Sequence, residues 1–187
     1  MSKENADKEQ KRSFKREAFS WIACIVVTIL LTEFILNFVI INANIPSGSM
    51  ENTIMTNDKL IALRTSYWFN DPKRGDIIIF KYPDDETEWF IKRVIALPGE
   101  TVLVKDGKVY INGSKKALSE PYIKEEPVED FGPYKVPKNG YFVMGDNRNN
   151  SNDAREWETH YVSRDEVLGK AWFRYCLLYT SDAADEL

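Results

Sequence analysis

A long apolar run near the N-terminus limits what this chain can fold into. Residues 18–41 read AFSWIACIVVTILLTEFILNFVII. As a helix this run would extend about 36 Å, which exceeds the roughly 30 Å hydrocarbon core of a bilayer. The sequence therefore predicts one transmembrane helix, a signal anchor, over residues 18–41.

Basic residues are distributed unequally around this run. The stretch before it contains Lys3, Lys8, Lys11, Arg12, Lys15 and Arg16, whereas the first basic residue after it is Lys59. Because basic residues favour the cytoplasmic side of a membrane, residues 1–17 are predicted to be a cytoplasmic tail. Residues 42–175 are then predicted to form an extracytoplasmic domain.

Two features of the run allow other readings. A basic stretch followed by an apolar one is also typical of a cleavable signal peptide, and Ala43 offers a small residue after it, but the run is longer than an h-region of about 7–15 residues. Glu33 and Asn37 lie one helical turn apart. They are interpreted as a snorkelling pair near the outer end, and contact with a partner helix is the alternative.

Composition excludes several functions. The net charge of −4 argues against a nucleic-acid partner, because duplex binders usually present a basic face. The two cysteines, Cys24 and Cys176, do not form a disulfide framework or a metal-binding pair with CxxC spacing. A single histidine, His160, disfavours a Ser-His-Asp triad and a multi-histidine metal site. We therefore expect no metal and no cofactor, and a serine enzyme built from this chain needs a base other than histidine.

Beyond the anchor the pattern is mainly β. Apolar runs at residues 76–82, 89–97, 101–105, 140–144 and 167–175 are separated by turn residues, which predicts antiparallel strands. Asp106 and Gly107, between TVLVK and KVYIN, predict a hairpin with a type I′ turn. Residues 114–139 contain four prolines and many charges, which indicates a surface insertion.

Three polar segments could take part in chemistry. They are IPSGSM at 45–50, FIKRVI at 90–95 and GDNRNNSNDAR at 145–155. Taken singly, the first is an ordinary turn and the second a half-exposed strand. The third has oxygen donors for calcium in Asp146, Asn150 and Asp153, but its spacing does not fit an EF-hand loop.

Lys92 has a setting that could change its charge. On a strand, Phe90, Lys92 and Val94 share one face, so the amine lies between two apolar neighbours. Desolvation lowers the pKa of a lysine. A general base near neutral pH needs that pKa to fall from about 10.4 to roughly 7–8, a difference of about 4 kcal/mol.

The order of four segments, IPSGSM, PKRGDIIIF, FIKRVIALPGE and GDNRNNSNDAR, closely resembles the successive sequence boxes of bacterial type I signal peptidases. The resemblance covers residues 44–175, and the short tail with a single anchor resembles the small form typical of Gram-positive bacteria. It implies a monomeric serine endopeptidase of the cell membrane, with an antiparallel β catalytic domain. Its substrates would be secreted preproteins, cut after a small residue that follows another small residue two positions earlier.

The resemblance also implies roles for individual residues. Ser49 matches the nucleophile and Lys92 the general base of a Ser-Lys dyad, which acts through an acyl-enzyme. Ser47, with the backbone N–H of Ser49, matches the oxyanion hole. Supporting roles fall to Ser151, which orients the amine, to the ion pair of Asp153 and Arg155, and to Asp146, which braces the loop with Arg148.

Substrate contacts follow from the same resemblance. The peptide is expected to lie extended beside a strand of the enzyme, so that main-chain hydrogen bonds provide affinity and shallow apolar pockets provide selection. Met50, Phe90 and Ile91 are expected near those pockets, and a plain core role for them is equally compatible with the sequence.

Two departures from the family pattern are present. The family usually has a glycine after Trp157, where this chain has Glu158, Thr159 and His160. The ending CLLYTSDAADEL, residues 176–187, does not complete the last strand as expected and is interpreted as an atypical tail. The first alternative is a self-cleaving repressor or mutagenesis protein, which has a similar dyad but would need a DNA-binding helical domain, or at least a soluble N-terminal arm, where this chain has a membrane anchor. The second alternative is a non-enzymatic, membrane-tethered β module.

Overall fold

The computed structural model of this chain describes residues 3–175, with side chains from residue 16 onward. The atypical tail at 176–187 lies outside the described residues. The chain divides into two compact units, Met1–Val39 and Ile40–Leu187. The first is helical and the second is a β domain, so the predicted architecture of one apolar helix followed by a mainly antiparallel β domain is confirmed.

The N-terminal unit is one long helix, α1 (Lys3–Phe34), which ends in a turn of π-helix (Ile35–Val39). Its polar start is rich in lysine, glutamate, glutamine and alanine, which favour helix, so residues before the apolar run are helical as well. The segment Arg16–Val39 is long and apolar enough to cross a membrane once. Asn37 donates a hydrogen bond to the Glu33 carboxylate at 3.0 Å, so these two polar side chains satisfy each other.

The helix ends two residues earlier than the sequence pattern predicts. Ile40 and Ile41, which continue the apolar run, belong to the first strand instead. The reason is that Val39, Ile40 and Ile41 are successive β-branched residues, which pack well on a pleated surface.

In the described part of the chain, ten strands form two antiparallel sheets. The larger sheet has the order β1-β2-β10-β3-β4-β8-β9 and the smaller the order β6-β5-β7. Their bounds are β1 Ile40–Asn44, β2 Lys59–Leu63, β3 Ile77–Tyr82, β4 Asp85–Ala96, β5 Thr101–Lys105, β6 Lys108–Ile111, β7 Phe131–Lys135, β8 Gly140–Met144, β9 Val162–Ser163 and β10 Val167–Tyr175. Short 3-10 turns occur at Arg64–Tyr67 and Arg164–Glu166.

The β5–β6 hairpin has the predicted turn. Asp106 and Gly107 both have positive φ, 50° and 75°, as a type I′ turn requires. The predicted insertion at 114–139 is only partly irregular, because it contains β7, which pairs with β5. A strand with a glycine and a proline is difficult to recognise from sequence, and its place at the edge of the smaller sheet tolerates both.

Two apolar clusters hold the β domain together. Ile78 and Phe80 of β3 point into the larger cluster, while Ile79, between them, points into the smaller one. This alternation is what a strand buried on both faces produces. The smaller cluster includes Ile45, Met50 and Ile54, so it fixes the loop that connects β1 to β2 and carries Ser49.

Candidate active site

Ser49 and Lys92 are in direct contact. Lys92 Nζ lies 2.7 Å from Ser49 Oγ, although 43 residues separate them in sequence. Lys92 lies on β4, whose register against β3 pairs it with Ile78, and Ser49 lies in the turn held by Met50 and Ile54. Lys92 is 4% exposed and Ser49 6%. The hydroxyl and the amine are therefore shielded from bulk water.

The surroundings of Lys92 favour its neutral form. Burial lowers the pKa of Lys92 from 10.5 to about 8, the nearby Arg155 acts in the same direction, and Asp153 and Asp146 oppose it. The Phe90 ring, on the same face of the strand, has its centre 5.4 Å from Nζ, and its attraction for a charged amine opposes the effect of burial. A neutral amine can accept a proton from a serine hydroxyl, which a charged one cannot.

Ser47 and Ser49 are close neighbours in the turn. Their Oγ atoms are 3.4 Å apart. Asn147 fixes the same turn from the facing loop, because its side chain donates to Gly48 O at 3.0 Å and its backbone N–H donates to Ser49 O at 3.1 Å. The sequence reasoning did not single out Asn147. Its position in an asparagine-rich loop gave no local signal that it would reach the serine turn.

Asp153 and Arg155 form a close ion pair behind Lys92. Arg155 donates to both carboxylate oxygens of Asp153, at 2.8 and 2.9 Å. Asp153 also accepts a hydrogen bond from the backbone N–H of Gly145 at 2.9 Å. The pair therefore joins the two ends of the loop at 145–155.

Ser151 is buried, and its hydroxyl has no hydrogen-bond partner among the described residues. Gly145 packs tightly against it. A Cβ built on Gly145 would lie 2.6 Å from Ser151 Cβ and would also overlap the carbonyl oxygen of Ser49. The loop thus reaches the serine turn through a glycine that has no room for a side chain.

Two further ion pairs brace this loop. Asp146 is fully buried and accepts two hydrogen bonds from Arg93, at 2.8 and 2.6 Å. Arg148 is equally buried and donates to both oxygens of Glu120, at 2.9 and 2.7 Å. Because the carboxylates of Asp146 and Asp153 are each paired with a guanidinium, their oxygens are not free to bind a calcium ion, the alternative that the sequence raised. Among the described residues, no group of three or more histidine, cysteine, aspartate or glutamate side chains could hold a metal.

A cleft of about 660 Å³ begins at the two contacting residues. One wall is residues 42–49, which include the end of β1, and the other is residues 88–92 of β4. Phe90 and Ile91, two of the three residues expected near substrate pockets, line this cleft, and their contact with substrate stays a prediction. Met50 does not line it: the side chain is 0% exposed and packs in the smaller apolar cluster, because the turn at 48–54 directs it inward.

Among the described residues, both walls of the cleft carry a strand edge without a partner strand. β1 lies at the edge of its sheet, and its described pairing is with β2 alone. β3 pairs with β4 between Asp85 and Arg93 on one side, whereas β8 pairs with β4 on the other side only from Arg93 onward. The N–H and C=O groups of β4 that face the cleft are thus available to an extended peptide.

A serine hydroxyl in contact with a buried lysine, at the end of a cleft bordered by strand edges, is the arrangement that a serine peptidase with an amine as its base requires. Residues 18–176 match the family described as signal peptidase, peptidase S26. The chain belongs to this family.

Named relatives of this chain are signal peptidases. A probable signal peptidase I-2 of Synechocystis sp. is 44% identical over 155 residues, which are 80% of this chain and 69% of that protein. A signal peptidase I of Leptolyngbya laminosa is 45% identical over 162 residues, which are 82% of this chain and 77% of that protein. A solved signal peptidase I from Enterococcus faecalis V583 is 36% identical, with a TM-score of 0.47, over 54% of this chain and 97% of that one.

Proposed function

We propose that this protein is a membrane-bound serine endopeptidase that removes signal peptides from secreted preproteins, with Ser49 as nucleophile and Lys92 as general base. The observation that supports these roles is the 2.7 Å contact between Ser49 Oγ and a lysine amine that is 4% exposed. Membership of the signal peptidase family supplies the reaction, and this contact supplies the groups to perform it.

The first half of the reaction forms an acyl-enzyme. Ser49 Oγ transfers its proton to the neutral Lys92 Nζ as it attacks the scissile carbonyl carbon, and the carbonyl oxygen becomes an oxyanion. The Ser47 hydroxyl and the backbone N–H of Ser49 donate to that oxyanion, where charge develops only in the transition state. The charged amine then returns the proton to the leaving amine, so the peptide bond breaks and the signal peptide stays esterified to Ser49.

Water completes the cycle. Lys92 Nζ, neutral again, takes a proton from a water molecule that attacks the ester carbonyl carbon. The second tetrahedral intermediate collapses, the proton returns to Ser49 Oγ, and the signal peptide leaves with a new carboxylate. Since the same amine acts in both halves, its pKa must be near the working pH for both.

The cleft supports recognition of an extended segment before the cut. Main-chain groups of the peptide would pair with the free edges of β1 and β4, as in β-strand addition. Phe90 and Ile91, both half-buried, line the cleft beside Lys92 and offer apolar contacts. We propose that these contacts form shallow pockets for small side chains, so that the enzyme cuts after a small residue preceded by another two positions earlier.

Location follows from the anchor. The helix fits a single membrane span, and we place its basic start in the cytoplasm and residues 42–175 on the outer side of the cell membrane, because basic residues precede the helix. Ser49, Lys92 and the residues that line the cleft all come from one chain, so the proposed reaction does not require a second copy, and we propose a monomer. The net negative charge argues against nucleic acid as a partner, whereas the apolar helix supports lipid and the family supports preproteins.

A processing assay tests the proposal. The full chain, in detergent or reconstituted in vesicles, is incubated with a preprotein, and Ser49→Ala and Lys92→Ala are compared with the parent. Both variants are expected to lose processing. Ser114→Ala and Lys108→Ala, at exposed positions, are matched controls that should process like the parent. Processing at the parental rate by either dyad variant would refute these roles.

A further inference from the structure

Residues 120–128, part of the predicted surface insertion, form a strap over both loops of the active site. Asn52 donates to Tyr122 O at 2.9 Å, and Lys124 forms an ion pair with Glu51 at 2.9 Å, so the strap is attached to the serine turn. Asn149 contacts it twice, accepting from Val128 N at 2.9 Å and donating to Glu126 O at 3.0 Å. The strap therefore connects the serine turn with the loop at 145–155.

The most buried attachment of the strap is the ion pair of Glu120 with Arg148. The side chains are 6% and 0% exposed, and two N–H groups of Arg148 each bind a separate oxygen of Glu120. Tyr122 also attaches the strap, because the centre of its ring lies 3.9 Å from the guanidinium of Arg93, the residue after Lys92. Removal of one partner from an ion pair this buried is strongly destabilising, since the remaining charge stays without a partner.

Arg148 connects the strap to the residues that surround Ser49 and Lys92. Its Nε donates to Gly145 O at 3.0 Å, and its own carbonyl oxygen accepts from Arg155 at 2.6 Å. Gly145 in turn packs against the Ser49 carbonyl and the Ser151 side chain. A displacement of Arg148 would therefore move the wall against which Ser49 rests and the ion pair behind Lys92.

The charges around the loop balance only with the strap in place. Arg93 pairs with Asp146, and Arg155 pairs with Asp153. The third guanidinium, that of the buried Arg148, has its carboxylate in Glu120, which lies 28 residues away in sequence. One carboxylate per guanidinium leaves no uncompensated charge in a region that excludes water.

We propose that Glu120 is a positioning residue, which holds the loop at 145–155 in register with Ser49 and Lys92 through Arg148. This inference rests on the proposed function, and it assigns the surface insertion a part in the reaction. Glu120 touches neither the cleft nor the reacting atoms, so its loss affects turnover and leaves substrate binding intact.

The test compares Glu120→Gln and Glu120→Asp with a matched control, Glu100→Gln. Glu100 also forms an ion pair with an arginine, Arg74, at 2.6 Å, and it does not line the cleft. For each variant kcat and KM are measured on a preprotein and normalised to the folded fraction, and hydrogen exchange is followed in residues 145–155.

For Glu120→Gln, kcat is expected to fall by about tenfold to a hundredfold, because misplacement of reacting groups by about 1 Å has effects of that size. KM should stay within about twofold, exchange in the loop should accelerate, and Glu120→Asp should recover part of kcat. Glu100→Gln should lower the melting temperature without changing kcat. Unchanged kcat in Glu120→Gln, a rise confined to KM, or unchanged loop exchange would each overturn the inference.

Failure of the proposed function gives a different pattern. If the parent does not process preprotein, or if Ser49→Ala processes it equally fast, the proposed function fails. The loop exchange of Glu120→Gln then still decides whether Glu120 holds residues 145–155.

Discussion

Replacing Lys92 by methionine tests whether the fold keeps this amine neutral. Methionine is similar in length and apolar, so it fills the same space between Phe90 and Val94 without a charge. Burial lowers the pKa of Lys92 from 10.5 to about 8. One pKa unit corresponds to about 1.36 kcal/mol, so a protonated Lys92 opposes folding by about 3 kcal/mol.

The sign and the pH window follow from proton binding. Between pH 8 and 10.5 the unfolded chain holds a proton on Lys92 that the folded chain does not, so parental stability rises with pH in this window. The free-energy cost of burying a charged Lys92 is fully present below about pH 8, where the folded chain is protonated, and absent above pH 10.5, where both states are neutral. Lys92→Met has no amine to bury, so its free energy of unfolding does not change with pH for this reason. The difference in free energy of unfolding between Lys92→Met and the parent should therefore shrink by about 3 kcal/mol from pH 8 to pH 10.5.

Equilibrium unfolding by denaturant, followed by tryptophan fluorescence in detergent, measures this difference at a series of pH values. The lost hydrogen bond to Ser49, worth about 1 kcal/mol, shifts the whole curve but not its slope with pH. Lys108→Met, at an exposed position of the β5–β6 hairpin, is the matched control to be subtracted. A corrected difference that stays constant from pH 7 to pH 11 would show that Lys92 is not held neutral by the fold.

Three other outcomes are expected. In the parent, kcat/KM should fall about tenfold per pH unit below an apparent pKa of about 8, because only the neutral amine is a base; a flat profile down to pH 6 contradicts this. Gly145→Ala should lower kcat by about a hundredfold, since its Cβ would displace Ser151 and the Ser49 carbonyl. If each folded molecule of this variant turns over substrate at the parental rate, the loop at 145–155 accommodates the Cβ and the prediction is wrong. Ser47→Ala should lower kcat on a preprotein by about a hundredfold or more with little change in KM, because one oxyanion donor is lost while the backbone donor remains; full activity removes Ser47 from the oxyanion hole.

The parts of the fold that the sequence predicts well are those with strong local signals. The hairpin of β5 and β6 follows from Asp106 and Gly107, and strands β8 and β10 have the predicted bounds. Strand β1 was hidden, because its isoleucines continue the apolar run of the helix without a break. Strand β7 was hidden by Gly132 and Pro133, which locally favour a turn.

The candidate site divides in the same way. The sequence boxes indicate Ser49 and Lys92, and the alternation along β4 explains why Lys92 is buried beside Phe90. Partners that come from distant segments have no such signal: Glu120 meets Arg148 only because the insertion folds back over the loop. For Met50, the sequence did not decide between pocket and core, since that depends on how a turn at 48–54 rotates its side chains.

Strand β4 supplies both the proposed base and the edge along which a substrate would bind. A deletion or insertion of one residue between 88 and 92 would turn every later side chain to the opposite face and would put Arg93 or Ile91 in place of Lys92. The six pairs that β4 makes with β3 oppose such a slip. We therefore expect this segment to keep a fixed length among descendants of this protein, while the turn at 105–108, in the other sheet, is free to lengthen.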